Sequence, residues 1–184
     1  MIIIKKNYYL YIENISDLNI DLLKTNKKIN IILRNIKNNR IKEIIKFRKK
    51  CKKKKIKFYI ANDLRVVNSC NADGLYISAY NKKKYFSNIK KIGSAHNIKE
   101  INKKIQQGCE EIIFSRLFKT NYIEKKGFLG VVKFNLLKRS FNKNIYPLGG
   151  INNQNLLKLN MINSQGFAIL SAVKKKPAIS NRLF

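Results

Sequence analysis

The chain has 184 residues and carries 40 Lys+Arg against 10 Asp+Glu, a formal charge of +30. That length fits one domain, and 45% apolar residues suffice to bury a core, which excludes a disordered basic tail. No run approaches 18 apolar residues, so no membrane-spanning helix is expected.

Met1-Ile2-Ile3-Ile4 is too short for a secretory signal, and Lys5-Lys6 follow it instead of preceding it; the expected location is the cytoplasm. Short β-rich apolar runs then alternate with helical patterns. Residues 8–12 read as a first strand, with a short helical stretch around 17–24 after it. A second strand covers 30–34, and 40–55 reads as a helix because Ile41, Ile44 and Ile45 share a face opposite Lys and Arg. Strands follow at 57–62 and 74–78, separated by a short helix. In the second half, 91–94 is a strand, and a helix with Ile98, Ile101 and Ile105 ends at Gly108. A strand at 111–115 leads through a loop at 117–126 to a helix over 128–141, with Phe128, Val131, Val132, Leu136 and Phe141 among its apolar positions. The strand 145–150 ends in a glycine turn, and a helix holding Leu156, Leu157 and Met161 leads to the last strand, 166–171.

Eight strands, each followed by a helical or helix-sized segment, imply right-handed βαβ units and a parallel sheet. The expected fold is α/β, a compact (β/α)8 TIM barrel below the roughly 200 residues usual for it, with a shortened or missing last helix. An open doubly wound sheet would favour a G-x-G-x-x-G after the first strand, and none is present. No Gly/Ser/Pro-rich linker divides the chain, so one domain is expected over 1–173, with a basic tail over 174–184. An uncovered wall at the last strand would suit a second copy of the chain, giving a homodimer.

The charge reads as compositional. Lys, Asn and Ile number 33, 25 and 29, and all three have A/T-rich codons. Only 7 basic residues are Arg, the residue suited to bidentate phosphate contacts. The surface still attracts anionic ligands, and nucleic acid non-specifically, in a salt-dependent way. A non-catalytic nucleic-acid-binding protein is the reading of another class, but no basic motif interleaved with aromatics stands out for it. Cys51, Cys70 and Cys109 have no metal spacing and read as buried thiols.

In such barrels chemistry sits where strands end. Gly149-Gly150 after strand seven and Ser171-Ala172 after strand eight fit a phosphate site, because glycine lets an anion approach backbone N–H groups. Asp63, beside Asn62 at the end of strand three, suits Mg2+ or the cap of the next helix. His96, the single histidine, follows strand five and is placed for proton transfer or for a structural bond. Arg34 ends strand two, where a guanidinium would grip a phosphate or pair with an acid.

Several stretches together carry a family likeness: Ile60-Ala61-Asn62-Asp63, Asn71-Ala72-Asp73-Gly74-Leu75-Tyr76-Ile77, Gly93-Ser94-Ala95-His96, Phe114-Ser115-Arg116-Leu117, Leu148-Gly149-Gly150-Ile151 and Gly166-Phe167-Ala168-Ile169-Leu170-Ser171-Ala172-Val173. In order and spacing the chain resembles the thiamine phosphate synthase/TenI superfamily from about residue 30 to 173. The resemblance implies a (β/α)8 transferase that joins hydroxymethylpyrimidine diphosphate to thiazole phosphate, releasing pyrophosphate with Mg2+. It implies that Arg34 and Asn62 hold the diphosphate, Asp63 binds Mg2+, Ser94 and Thr120 contact substrate, and Gly150 and Ser171 bind the thiazole phosphate. In TenI-type members, which tautomerise thiazole phosphate without metal, His96 would be the acid/base. The site is partly degenerate: the family's Gln-Leu-Arg-Glu-Lys reads Ile32-Leu33-Arg34-Asn35-Ile36, and no carboxylate stands near Tyr80-Asn81 for a second metal ligand. The usual Gly-Gln after strand four reads Ser78-Ala79, and in the threonine loop Lys125 is a late substitute for the usual lysine. A synthase is the leading reading; a tautomerase or a ligand-binding paralogue without activity are the alternatives.

Overall fold

The structure, a computed structural model, describes residues 7–23, 28–120 and 127–170. Eight parallel strands close into a barrel in chain order. They are β1 (Asn7–Ile12), β2 (Lys28–Leu33), β3 (Lys57–Ala61), β4 (Gly74–Ile77), β5 (Lys91–Ala95), β6 (Glu111–Ser115), β7 (Asn144–Leu148) and β8 (Gly166–Ile169). Closure is made by β1 on β8, with Asn7 opposite Gly166 and Leu10 opposite Ile169. Gly166 is required there, since a Cβ would lie 1.6 Å from the Asn7 carbonyl oxygen.

Alternation along each strand separates two apolar layers. Tyr8, Leu10 and Ile12 of β1 point outward into the larger cluster beneath the helices. Tyr9 and Tyr11 point inward and meet Ile32, Tyr59, Tyr76, Ile92, Ile113 and Tyr146 inside the barrel. Toward the N-terminal end, the rings of Tyr9 and Tyr146 pack with centroids 5.0 Å apart. Tyr9 donates its hydroxyl to Glu111, and the Lys90 ammonium neutralises that carboxylate at 2.8 Å. A buried carboxylate inside a barrel thus has both a donor and a counter-charge, as desolvation demands.

The outer layer is α1 (Ile41–Lys53), α2 (Leu64–Ser69), α3 (Ile98–Gln106) and α4 (Gly130–Arg139), with 3-10 turns at Ile15–Asp17, Ile20–Leu22 and Leu156–Met161. The helix of 40–55 is therefore seen at nearly its expected length, burying Ile44, Phe47 and Cys51. Arg48 on the same face donates to Asp73 at 3.1 Å, and Asp73 also accepts the Phe58 N–H, so α1 is tied to the β3–β4 pair. The segment carrying Leu156, Leu157 and Met161 is a 3-10 turn, not an α-helix, and Leu157 and Met161 are exposed. Val132 and Leu136 on α4 are likewise exposed, and Phe134 holds that helix to the barrel. The three cysteines are free and buried, and burial pushes the Cys109 thiol up to about 11. The expected tail of 174–184, and with it the last helix and the wall offered to a second copy, lies outside the described residues.

One connector is helix-sized without being a helix. Residues 78–90, long enough for a helix, run without helix or strand from the end of β4 to the start of β5. The connector has no hydrogen-bond ladder of its own, so α3 supplies donors. Lys104 is fully buried and donates to the carbonyls of Ser78 (2.7 Å) and Asn81 (2.9 Å) and to Gln107 Oε1 (2.8 Å). Gln107 in turn donates to the carbonyls of Asn81 and Lys83. Gly93 makes room for this lysine, because a Cβ there would lie 2.8 Å from its stem. Burial pushes the Lys104 ammonium down to about 8, while its three acceptors hold the protons at neutral pH.

Two predictions follow from this interior. Lys104→Met keeps the stem but leaves buried carbonyls without donors, and should lower unfolding free energy by about 2–4 kcal/mol in a denaturant titration. The second concerns alkaline pH. Burial raises the phenol pKa of Tyr9, Tyr11, Tyr59, Tyr76 and Tyr146, the last to about 12, with Glu111 adding to the shift at Tyr9, Tyr59 and Tyr146. The folded chain keeps these protons while the unfolded chain releases them near the ordinary phenol value of ~10. Their contribution to stability is complete below that pH and is lost as pH rises above it. Phenolate absorbance should rise smoothly for the exposed tyrosines and then in one step coincident with loss of far-UV circular dichroism. Smooth ionisation of all nine tyrosines in a still-folded chain would contradict the assignment.

Candidate functional site at the C-terminal ends of the strands

Parallel closure places Arg34, Asn62, Asp63, Ser94, His96, Thr120, Gly149 and Gly150 at or just beyond the C-terminal ends of their strands, around one barrel mouth. Lys125, Ser171 and Ala172 lie outside the described residues. The placed residues fall into two groups.

The first group spans β1 to β5. Arg34 follows β2, its N–H donating to the Ile12 carbonyl. Its guanidinium lies 5.7 Å from the centre of the Tyr11 ring and 3.3 Å from Glu13 Oε1. Tyr11 donates to the Tyr76 hydroxyl at 3.1 Å, and Tyr76 also hydrogen-bonds Ser94. The two rings meet edge to face at 5.4 Å. Ser94 is buried, so at the mouth its hydroxyl serves Tyr76. The result is an aromatic floor with one half-exposed cation above it.

Asn62 sits in the left-handed region at φ 60°, a conformation Asn tolerates well. Its Oδ1 accepts from the Ser78 N–H (3.0 Å), the Ser78 hydroxyl (3.1 Å) and Asn81 (2.9 Å), and Tyr85 donates to its carbonyl. The side chain therefore clamps the end of β3 to the end of β4. Asp63 caps α2: its Oδ1 accepts the N–H groups of Arg65 (2.9 Å) and Val66 (3.1 Å). Of the two expected roles of Asp63, the cap is the one its geometry fills, with Oδ2 left for another partner. No group of three or more His, Cys, Asp or Glu capable of holding a metal occurs among the described residues. One carboxylate oxygen still fits Mg2+, an ion that takes one or two carboxylates together with substrate phosphates.

The second group spans β6 and β7. Leu117 and Phe118 donate to the carbonyls of Leu148 and Gly149, which zips the loop after β6 onto the glycine turn. Gly149 and Gly150 have φ of 98° and 70°, and a Cβ on Gly150 would lie 2.5 Å from the carbonyl oxygens of Phe118 and Lys119. Only glycine fits both the conformation and the close approach. Arg116 donates to the Thr120 hydroxyl at 2.9 Å and lies across Gly149. The Gly150 N–H has no backbone acceptor among the described residues. A cation, a hydroxyl and a backbone N–H on a glycine turn are the parts of a phosphate cradle.

His96 stands between the groups. It is exposed, with Nδ1 at 3.3 Å from the Ser115 carbonyl and its backbone N–H donating to Glu100 at 2.7 Å. The Ser115 contact assigns a proton to Nδ1 and leaves Nε2 open.

Two mouth residues were not picked out from the sequence. Glu13 follows β1 directly, and its position at a strand end among only ten acids was the available signal. Tyr76 points inward by strand alternation. Arg116, by contrast, directly follows β6 and already stood in the stretch that carried the family likeness.

The thiamine monophosphate synthase family matches residues 11–173. The chain is 31% identical over 139 residues to a thiamine-phosphate synthase of Prochlorococcus marinus subsp. pastoris, covering 72% of this chain and 40% of that protein. A thiamine-phosphate synthase of another Prochlorococcus marinus strain is 27% identical over 137 residues, covering 71% and 39%. The chain thus spans about 40% of the length of these curated relatives. A thiamine phosphate pyrophosphorylase from Pyrococcus furiosus superposes with a TM-score of 0.73 at 18% identity, over 97% of this chain and 91% of that one. A second, from Bacteroides thetaiotaomicron, gives 0.60 at 13% identity, over 90% and 83%. With the match running from β1 past the end of β8, the chain belongs to the thiamine monophosphate synthase/TenI family.

Proposed function

We propose that the chain is a thiamine phosphate synthase-type transferase acting on two anionic substrates, a hydroxymethylpyrimidine diphosphate and a thiazole phosphate. The observation that carries this reading is the division of the mouth into two cationic halves, Arg34 over the Tyr11–Tyr76 floor and Arg116–Thr120 over the Gly149–Gly150 turn. One half takes each anion. Family membership supplies the reaction class.

In this reaction the bond from the pyrimidine methylene carbon to the diphosphate oxygen breaks, and pyrophosphate leaves with the electron pair. The thiazole nitrogen then forms a bond to that carbon, and no proton need change hands. Arg34 holds the departing diphosphate and takes up its developing charge. Tyr11 and Tyr76 offer ring surface at the electron-poor methylene carbon. Thr120, Arg116 and the Gly150 N–H orient the thiazole phosphate. Asn62 acts by fixing the β3–β4 end against which the diphosphate half is built. Asp63, through Oδ2, would be the residue to hold Mg2+, and that ion would supply charge neutralisation for the leaving group.

Purified protein with both substrates and Mg2+ should yield thiamine phosphate by chromatography, and Arg34→Ala should lower kcat/KM by roughly 100-fold or more. No product above a blank without protein overturns the reading. Glu13 competes with the diphosphate for Arg34 across a partly exposed pair. Glu13→Gln should therefore tighten inorganic pyrophosphate binding by roughly two- to fivefold in calorimetry. The open Nε2 of His96 favours a second reading, thiazole phosphate tautomerisation. His96→Ala separates the two: a synthase should retain its rate within about threefold, the size of effect expected for an exposed residue outside the transition-state contacts. A tautomerase should lose its activity.

A further inference from the structure

The connector 78–90 exposes what a helix would have covered. Tyr80 is 79% and Phe86 91% exposed, the two most exposed large apolar side chains among the described residues. Between them run Lys82, Lys83 and Lys84, none of which is ion-paired among the described residues. From Ser78 to Lys90 there is no carboxylate. Phe86 lines a groove of about 530 Å3 together with Lys84, Lys91, Gln106 and Gly108. That volume is in the range of small-ligand sites, ~300–1,000 Å3. Gln106, exposed at the end of α3, leaves its amide open to the edge of an incoming ring.

We propose that this face binds single-stranded nucleic acid, with bases stacked on Phe86 and Tyr80 and the phosphates along Lys82, Lys83 and Lys84. An extended, acid-free lysine track between two bare aromatic rings combines the two elements such binding requires, since every base has a stacking face and every linker a charge. Charge complementarity excludes a cationic partner. Bare rings at both ends of the track favour bases over an acidic peptide. The track differs from the remaining positive surface, which attracts polyanions by charge alone. From the sequence, 78–90 reads only as a helix-sized connector, and the exposure of its rings is visible only in the fold. The track starts at the rim of the mouth, where Ser78 and Asn81 bond Asn62, and runs down the outer wall to the groove beside Phe86.

Fluorescence anisotropy with an oligouridylate of about 15 nucleotides at about 0.15 M salt tests the site, with polyphosphate and polyglutamate as competitors that carry charge without bases. The double variant Tyr80→Ala/Phe86→Ala keeps the net charge and removes only exposed rings. It should weaken oligouridylate binding by roughly tenfold or more while leaving polyphosphate binding within about twofold. Phe86→Trp, which keeps a stacking ring, should retain binding, and its indole fluorescence should be quenched on addition of the oligonucleotide. The proposal fails if the double variant binds oligouridylate as the parent does. It also fails if oligouridylate and polyphosphate binding fall together, if polyglutamate competes as well as the oligonucleotide, or if the parent shows no binding at this salt.

Discussion

Eight strands of four to six residues close into a barrel only if the space they enclose is filled. Here five tyrosines fill much of it, a choice with consequences at both ends. A phenol brings volume like Phe but also a hydroxyl that needs a partner in a dry interior. Toward the N-terminal ends of the strands Tyr9 finds it in Glu111, which in turn requires Lys90. Toward the C-terminal ends Tyr11 and Tyr76 find it in each other and in Ser94. The floor of the mouth is thus the upper layer of the core, and the rings that close the barrel also floor the mouth.

A chain with ten carboxylates must place them with economy. Glu111 answers the interior, Asp73 ties α1 to the sheet, and Glu100 and Asp63 accept backbone N–H groups beside α3 and α2. Glu13 is left to balance Arg34 at the mouth. The residues that looked most informative for chemistry therefore carry structure as well. Asp63 is a helix cap with one oxygen to spare, and Asn62 is a clamp between strand ends.

Strand number, order and approximate bounds were legible because a parallel strand buried on both faces leaves an uninterrupted apolar run. Residues 111–115 and 57–61 show this directly. Helices were legible where apolar spacing is strong, as over Ile41–Lys53, and less so over Leu156–Met161, where two of the expected apolar positions face solvent. The connector 78–90 was legible only as a helix-sized segment, because what holds it is not local. Its donors come from Lys104 and Gln107, some 20 residues later. The mouth was legible as a set of strand ends, and the pairing within it was not. Nothing in the spacing of Arg34 and Glu13, or of Arg116 and Thr120, shows which partner each guanidinium takes.

The Lys104 staple also makes the wall of the barrel unequal around its circumference. Where α1, α2 and α4 cover the barrel, the backbone has a helical ladder of its own. Between β4 and β5 the cover is held by side chains of α3, so connector and helix open as one cooperative unit or not at all. Because α3 follows directly on the strand that carries Ser94 and leads into His96, this seam reaches from the outer wall to the rim of the mouth.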